Sequence, residues 1–235
     1  RHAAQIWSAR LAADARDFES AWKLARADSY LGGRVPASEA RTWYENGVAA
    51  GQRAVAVEPD RPEGHFWLAV NMGVLAESAG IRAGLKYRKP IKEQFEAVLR
   101  IDPAYEEGSA DRALGRWYAK VPRLFGGSAK EAERHYQASL TYDPDSAVTH
   151  YFLAELYDDT GRRAEARDEC QKVLDAPLGA DREPEDQEWK TKAKKLLERL
   201  RASPPPRPSP SLRSHKASPG RAAPRGAASR ARASS

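Results

Sequence analysis

Between Ala147 and Pro177 the apolar and small residues fall in two blocks at helical spacing. Leu153, Ala154 and Tyr157 form the first and Ala166, Cys170 and Val173 the second, with Gly161 between them and Pro177 after them. Recurrence at i, i+3 and i+4 predicts two amphipathic helices rather than strands. Gly161 can take a left-handed turn between them, and Pro177 cannot continue the second. The same pattern precedes this one three times, closed by Val57-Glu58-Pro59, Ile101-Asp102-Pro103 and Tyr142-Asp143-Pro144. The four prolines lie 44, 41 and 33 residues apart.

The first helices of the earlier copies carry Trp22, Leu24-Ala25 and Tyr30, then Phe66, Leu68-Ala69 and Met72, then Leu114-Gly115 and Trp117-Tyr118. Pro36 suits the first turn of one second helix. Phe95, Val98 and Leu99 mark another, and Ser128 with Glu131 forms a capping-box start for a third. The long spacings predict insertions between paired helices: an extended stretch through Gly80 and Gly84 to Lys89-Pro90, and the loop Val121–Gly127.

Paired helices with small residues at fixed places and a closing proline resemble the tetratricopeptide repeat (TPR), a unit of about 34 residues. One pair cannot bury its apolar face alone, so pairs must stack. The expected fold is all-α: a TPR solenoid wound as a right-handed superhelix, with a disordered C-terminal tail. Residues 1–15 read as a half-repeat helix. Four repeats follow at about 16–60, 61–104, 105–145 and 146–178, with a linker to 183. Residues 184–201 form an amphipathic cap helix, with Trp189, Ala193, Leu196, Leu197 and Leu200 on one side.

In such arrays the first helix of each pair lines the concave face. The repeat register places Lys23 and Tyr30, Phe66 and Val70, Arg112, Arg116 and Lys120, and Tyr151 and Glu155 on that face. Arg112, Arg116 and Lys120 stand at i, i+4 and i+8 and so share one side of a helix. An apolar strip of Phe66, Val70 and Val74 precedes them, and acids follow. Such a groove suits a protein partner, or a small amphiphilic ligand with an anionic end; a solvated charged face is the plainer reading. Ala27, Val70, Arg116 and Glu155 occupy the position where arrays that clamp a terminal carboxylate carry asparagine, which disfavours that mode.

The net charge of +6 is unevenly placed. Residues 203–235 hold seven of the 39 bases and none of the 33 acids, so the remainder is almost neutral. This basic Pro/Ser/Arg segment has one leucine and no aromatic residue, which predicts disorder. It could touch nucleic acid or an acidic membrane surface, but without stacking aromatics nucleic acid is disfavoured and a solubilising tail is the plainer reading. No run of about 18 apolar residues marks a membrane span. No His-Glu-x-x-His, paired cysteine ligands or Gly-x-Ser-x-Gly occurs, so no enzymatic role and no cofactor is expected. Cys170 reads as a buried small hydrophobe. His65 and His150 fall at equivalent packing positions and read as structural.

The segments FESAWKLARADSYLG (18–32) and ALGRWYAKVPRLFGGSAKEAERHYQASLTYDP (113–144) resemble a divergent TPR group. That group includes the T component of TPR-associated TRAP transporters and the regulator of microtubule dynamics proteins. The resemblance spans about residues 16–200. It implies an all-helical, non-enzymatic partner protein able to oligomerise. Its transporter branch implies a transport-associated binding protein as partner and a periplasmic location, and otherwise a cytoplasmic one.

Overall fold

The helix ends follow from local chemistry. Asp17 starts one helix by accepting the Ser20 amide at 2.9 Å, and Ser128 starts another by accepting the Glu131 amide at 3.2 Å. Gly161, at φ 79°, takes the left-handed turn its position demanded. The structure, a computed structural model, describes residues 1–78, 81–179 and 183–202, without the side chains of 81–83. The expected tail at 203–235 and Gly80 lie outside the described residues. The elements are α1 (His2–Ala13), α2 (Phe18–Gly32), α3 (Ala37–Val57), α4 (Pro62–Ser78), α5 (Ile81–Ile101), α6 (Tyr105–Lys120), a 3₁₀ turn (Arg123–Phe125), α7 (Ala129–Ser139), α8 (Ala147–Asp159), α9 (Arg163–Asp175) and α10 (Glu183–Ala202). No strand occurs among the described residues. The fold is an all-α, TPR-like array.

Helices pair as α2–α3, α4–α5, α6–α7 and α8–α9, and each pair packs on the next. Helix α1 lies against α2, and α10 against α8 and α9. Among the described residues the core divides into three apolar clusters. Leu11, Phe18, Ala21 and Ala54 fill the first. Phe66, Leu68, Met72, Phe95, Val98 and Leu114 fill the middle. Tyr136, Leu153, Cys170, Val173, Leu197 and Leu200 fill the last. Lys190 on α10 donates to the carbonyls of Leu174 and Ala176 at 2.7 and 2.6 Å, which closes the end of α9.

Two of the junctions between pairs, α3–α4 and α7–α8, share one device. His65 Nε2 donates to the Pro59 carbonyl, and His150 Nε2 to the Pro144 carbonyl, both at 2.8 Å. Each ring's Nδ1 then meets the second helix of its own pair, at Gln94 (2.5 Å) and Glu169 (2.6 Å). The two histidines therefore tie a closing proline to the next helix pair.

The stretch around Gly84 to Lys89-Pro90 is not extended: α5 runs through it as one helix of 21 residues with Pro90 inside. An internal proline costs about 3 kcal/mol. Here Tyr87, Ile91, Phe95 and Val98 lie on the side packed into the middle cluster, and that burial outweighs the cost. The extra residues of this pair therefore lengthen a helix. In the α6–α7 pair they do form a loop, Val121–Gly127.

Candidate functional site

Helices α4 and α6 touch near their starts and part further on. The rings of Phe66 and Tyr105 meet at 5.3 Å. Glu106, Glu107 and Gly108 have positive φ, so the regular winding of α6 begins after them. Beyond that contact a cleft of about 380 Å³ opens between the later halves of the two helices. Leu85, Ile91, Trp117 and Phe125 supply apolar walls, and Arg88, Arg116, Lys120 and Glu77 supply charge. Trp117 Nε1 donates to the Arg88 carbonyl at 2.8 Å, fixing the indole to α5. The loop after α6 closes the rim. Gly127 lies so close to Val121 that a Cβ would strike its carbonyl oxygen. The turn holds Leu124 out at 87% exposure and leaves Phe125 partly exposed, with the Arg88 guanidinium 5.2 Å from the Phe125 ring centre.

The residues expected to line the groove fare differently. Lys120 is exposed and borders the cleft. Arg112 is half-buried on α6. Arg116 borders the cleft but is paired: its Nη1 is 2.7 Å from Glu155 Oε2 on α8. The Tyr151 ring lies tilted against Trp189, 5.4 Å between centres, and its hydroxyl donates to Glu155 at 3.4 Å. Burial and the neighbouring Glu155 push its hydroxyl up to about 12. Val70 is half-buried against the middle cluster. Phe66 does not offer the apolar surface expected of it. It is buried among Trp67, Phe95 and Tyr105, because its ring is what joins α4 to α6.

Lys23 and Tyr30 lie apart from this cleft, on a second depression beside α1. Lys23 pairs with Glu19 at 2.7 Å and stands over the rings of Trp7 and Trp22. Tyr30 is exposed, with the Arg34 guanidinium 3.2 Å from its ring centre. Arg34 in turn reaches Glu185 of α10 at 3.5 Å. The predicted residues thus fall in two places rather than along one stripe.

Sequence reasoning missed Leu85 and Arg88. Their signal was the i, i+3, i+6 series Leu85, Arg88, Ile91, which becomes a helix face only if the helix passes Pro90. Reactive groups are not assembled here. Cys170 is fully buried in the last cluster, and burial pushes its thiol up to about 11. Among the described residues no group of three His, Cys, Asp or Glu side chains is placed to hold a metal.

A family model described as "Regulator of microtubule dynamics protein 1-3" matches residues 1–201. Regulator of microtubule dynamics protein 3 of Bos taurus is 27% identical over 173 residues, covering 66% of this chain and 36% of that protein. Regulator of microtubule dynamics protein 2 of Mus musculus is 24% identical over 200 residues, covering 78% and 48%. The chain therefore spans less than half the length of these curated relatives. Among solved structures, a thermophilic TPR protein of Thermus thermophilus superposes with a TM-score of 0.64 at 22% identity, covering 83% of this chain and 89% of that one. MamA superposes with a TM-score of 0.51 at 14% identity, covering 85% and 90%. These two likenesses concern the fold alone.

Proposed function

Because the chain belongs to the regulator of microtubule dynamics protein 1-3 family, we propose that it is a non-catalytic scaffold that binds a protein partner. We read the array as a leading helix α1, four repeats and the cap helix α10. The observation that carries the proposal is the cleft between α4, α5 and α6. Its apolar walls end at Phe125, next in the chain to the exposed Leu124, and Arg88, Arg116 and Lys120 line it. That combination suits a partner segment with an apolar side chain flanked by acids. The relatives' names make the microtubule the first partner to test. The other resemblance supplies a transport-associated binding protein as the alternative partner.

The test is co-sedimentation with microtubules of the wild-type chain and of an Arg88→Ala/Lys120→Ala variant. The variant keeps its helical circular dichroism and binds more weakly, since hydrogen bonds to charged groups contribute roughly 1.5–3 kcal/mol each. Wild-type binding weakens as salt rises. Equal binding by both proteins removes the cleft from the interface. No binding by the wild type rejects the microtubule as partner and passes the same variant to the transport-associated protein.

A second reading is direct capture of a small amphiphilic anion. The cleft's volume of about 380 Å³ supports it, being within the range of ligand sites. Titration with alkyl carboxylates or alkyl phosphates separates the readings. Saturable binding lost in the same variant favours the ligand, and its absence leaves the protein partner.

A further inference from the structure

The position filled by Tyr157 in the last helix pair is Asp28 in the first. Both stand three residues after the Leu-Ala step, Leu153-Ala154 and Leu24-Ala25. Tyr157 reaches back to the preceding pair, donating from its hydroxyl to Glu133 on α7 at 2.9 Å. Asp28 is too short to span the equivalent gap toward α1. An open-sided cavity of about 690 Å³ lies between α1, α2 and α3, with exposed residues such as Gln5, Ser8, Asn46 and Arg53 at its mouth. Its lining includes Leu11, Leu24, Trp43, Asn46, Ala50 and Arg53, with Asp28 among them. Asp28 is only 2% exposed. Among the described residues no side chain or amide donates a hydrogen bond to its carboxyl, whereas buried polar groups in folded proteins are nearly always paired.

We propose that this cavity is a binding site for a small primary amine with an apolar body, whose ammonium group pairs with Asp28 while its hydrocarbon lies against Leu11, Leu24 and Trp43. The surroundings fit that chemistry. Helix α1 adds no ionisable group to the lining, and α3 adds only the exposed Arg53. Helix α4, packed on α2, brings Asn71, whose amide donates to the carbonyls of Ala25 and Trp67. An ammonium ion would give the carboxyl the partner it lacks, and an aromatic wall favours a cation nearby. Burial pushes Asp28 up to about 7, so its charge, and with it the attraction, grows as the solution passes from mildly acidic to mildly basic. This site is separate from the α4–α5–α6 cleft.

The experiment titrates the 235-residue chain with phenethylammonium and hexylammonium chlorides, followed by calorimetry, with 2-phenylethanol as the uncharged control. Both amines bind saturably, the alcohol about tenfold more weakly or not at all. Affinity rises between about pH 6 and about pH 8, where these amines stay charged. Asp28→Asn loses about tenfold. Asp28→Tyr puts the residue type of the last pair at this position, replaces the carboxyl with a ring at the floor of the cavity and abolishes binding while the melting temperature holds or rises. That second variant decides the matter if Asp28→Asn does not fold. Absence of saturable amine binding below about 10 mM, or equal binding by Asp28→Tyr, overturns the proposal.

Discussion

Arg116 Nη1 lies 2.7 Å from Glu155 Oε2, joining α6 to α8, while the same guanidinium stands 4.6 Å from the Phe152 ring centre. The pair partly neutralises the base at the middle of the Arg112, Arg116, Lys120 face. Glu155→Gln should therefore preserve the fold and strengthen binding of an acidic partner or ligand at the cleft. The gain is set by a half-exposed ion pair, roughly 0.2–1 kcal/mol. Titration of the variant beside the wild type measures it, and unchanged affinity would mean that Arg116 takes no part.

Glu169 makes the acid limb of stability predictable. Burial alone would raise its carboxyl, but hydrogen bonds from His150 and Lys172 outweigh that and hold it below the ordinary glutamate value of 4.5. A depressed carboxyl binds fewer protons folded than unfolded. Its contribution is present above pH 4.5 and lost as pH falls from there through the lowered value. Melting temperatures between about pH 3 and about pH 6 should fall less steeply for Glu169→Gln than for the wild type. Parallel curves would show that the His150–Glu169 contact carries no proton linkage.

Ala166 is completely buried where α8 and α9 approach, and Ala164 on the same helix is more open to solvent. Ala166→Leu should overpack the pair and cost about 1–3 kcal/mol. Ala164→Leu should cost much less. Chemical denaturation compares the two, and equal losses would contradict the packing of α8 on α9.

Gly115 lets α6 meet α7 across the Tyr136 ring. A Cβ at this position would stand 2.5 Å from two ring carbons, and Tyr136 is only 1% exposed. Gly115→Ala should destabilise the protein by about 1–3 kcal/mol, despite alanine's better helix propensity. A neutral or stabilising result would show that the ring can shift aside.

Helix pairing was readable because its signals are local. The Leu-Ala steps, the Gly161 turn, the Ser128 cap and the closing prolines each act within a few residues. Pro90 misled for the opposite reason. Its local cost argues for an interruption, and only the burial of Ile91, Phe95 and Val98 against α4 and α6 outweighs it. Leu85 and Arg88 were lost to the site with it.

An all-α array of stacked helix pairs and the structural place of His65 and His150 were legible from the chain alone. The packing of helix on helix settled that Arg116 is tied to Glu155, that Phe66 is core, and that the Asp28 carboxyl, among the described residues, receives no hydrogen bond beside its cavity. The physical reason is range. Periodicity and capping are set within one helix, whereas a partner, a gap or a buried charge depends on how far one helix stands from another. That distance is set by side chains remote in sequence, as where Phe66 meets Tyr105.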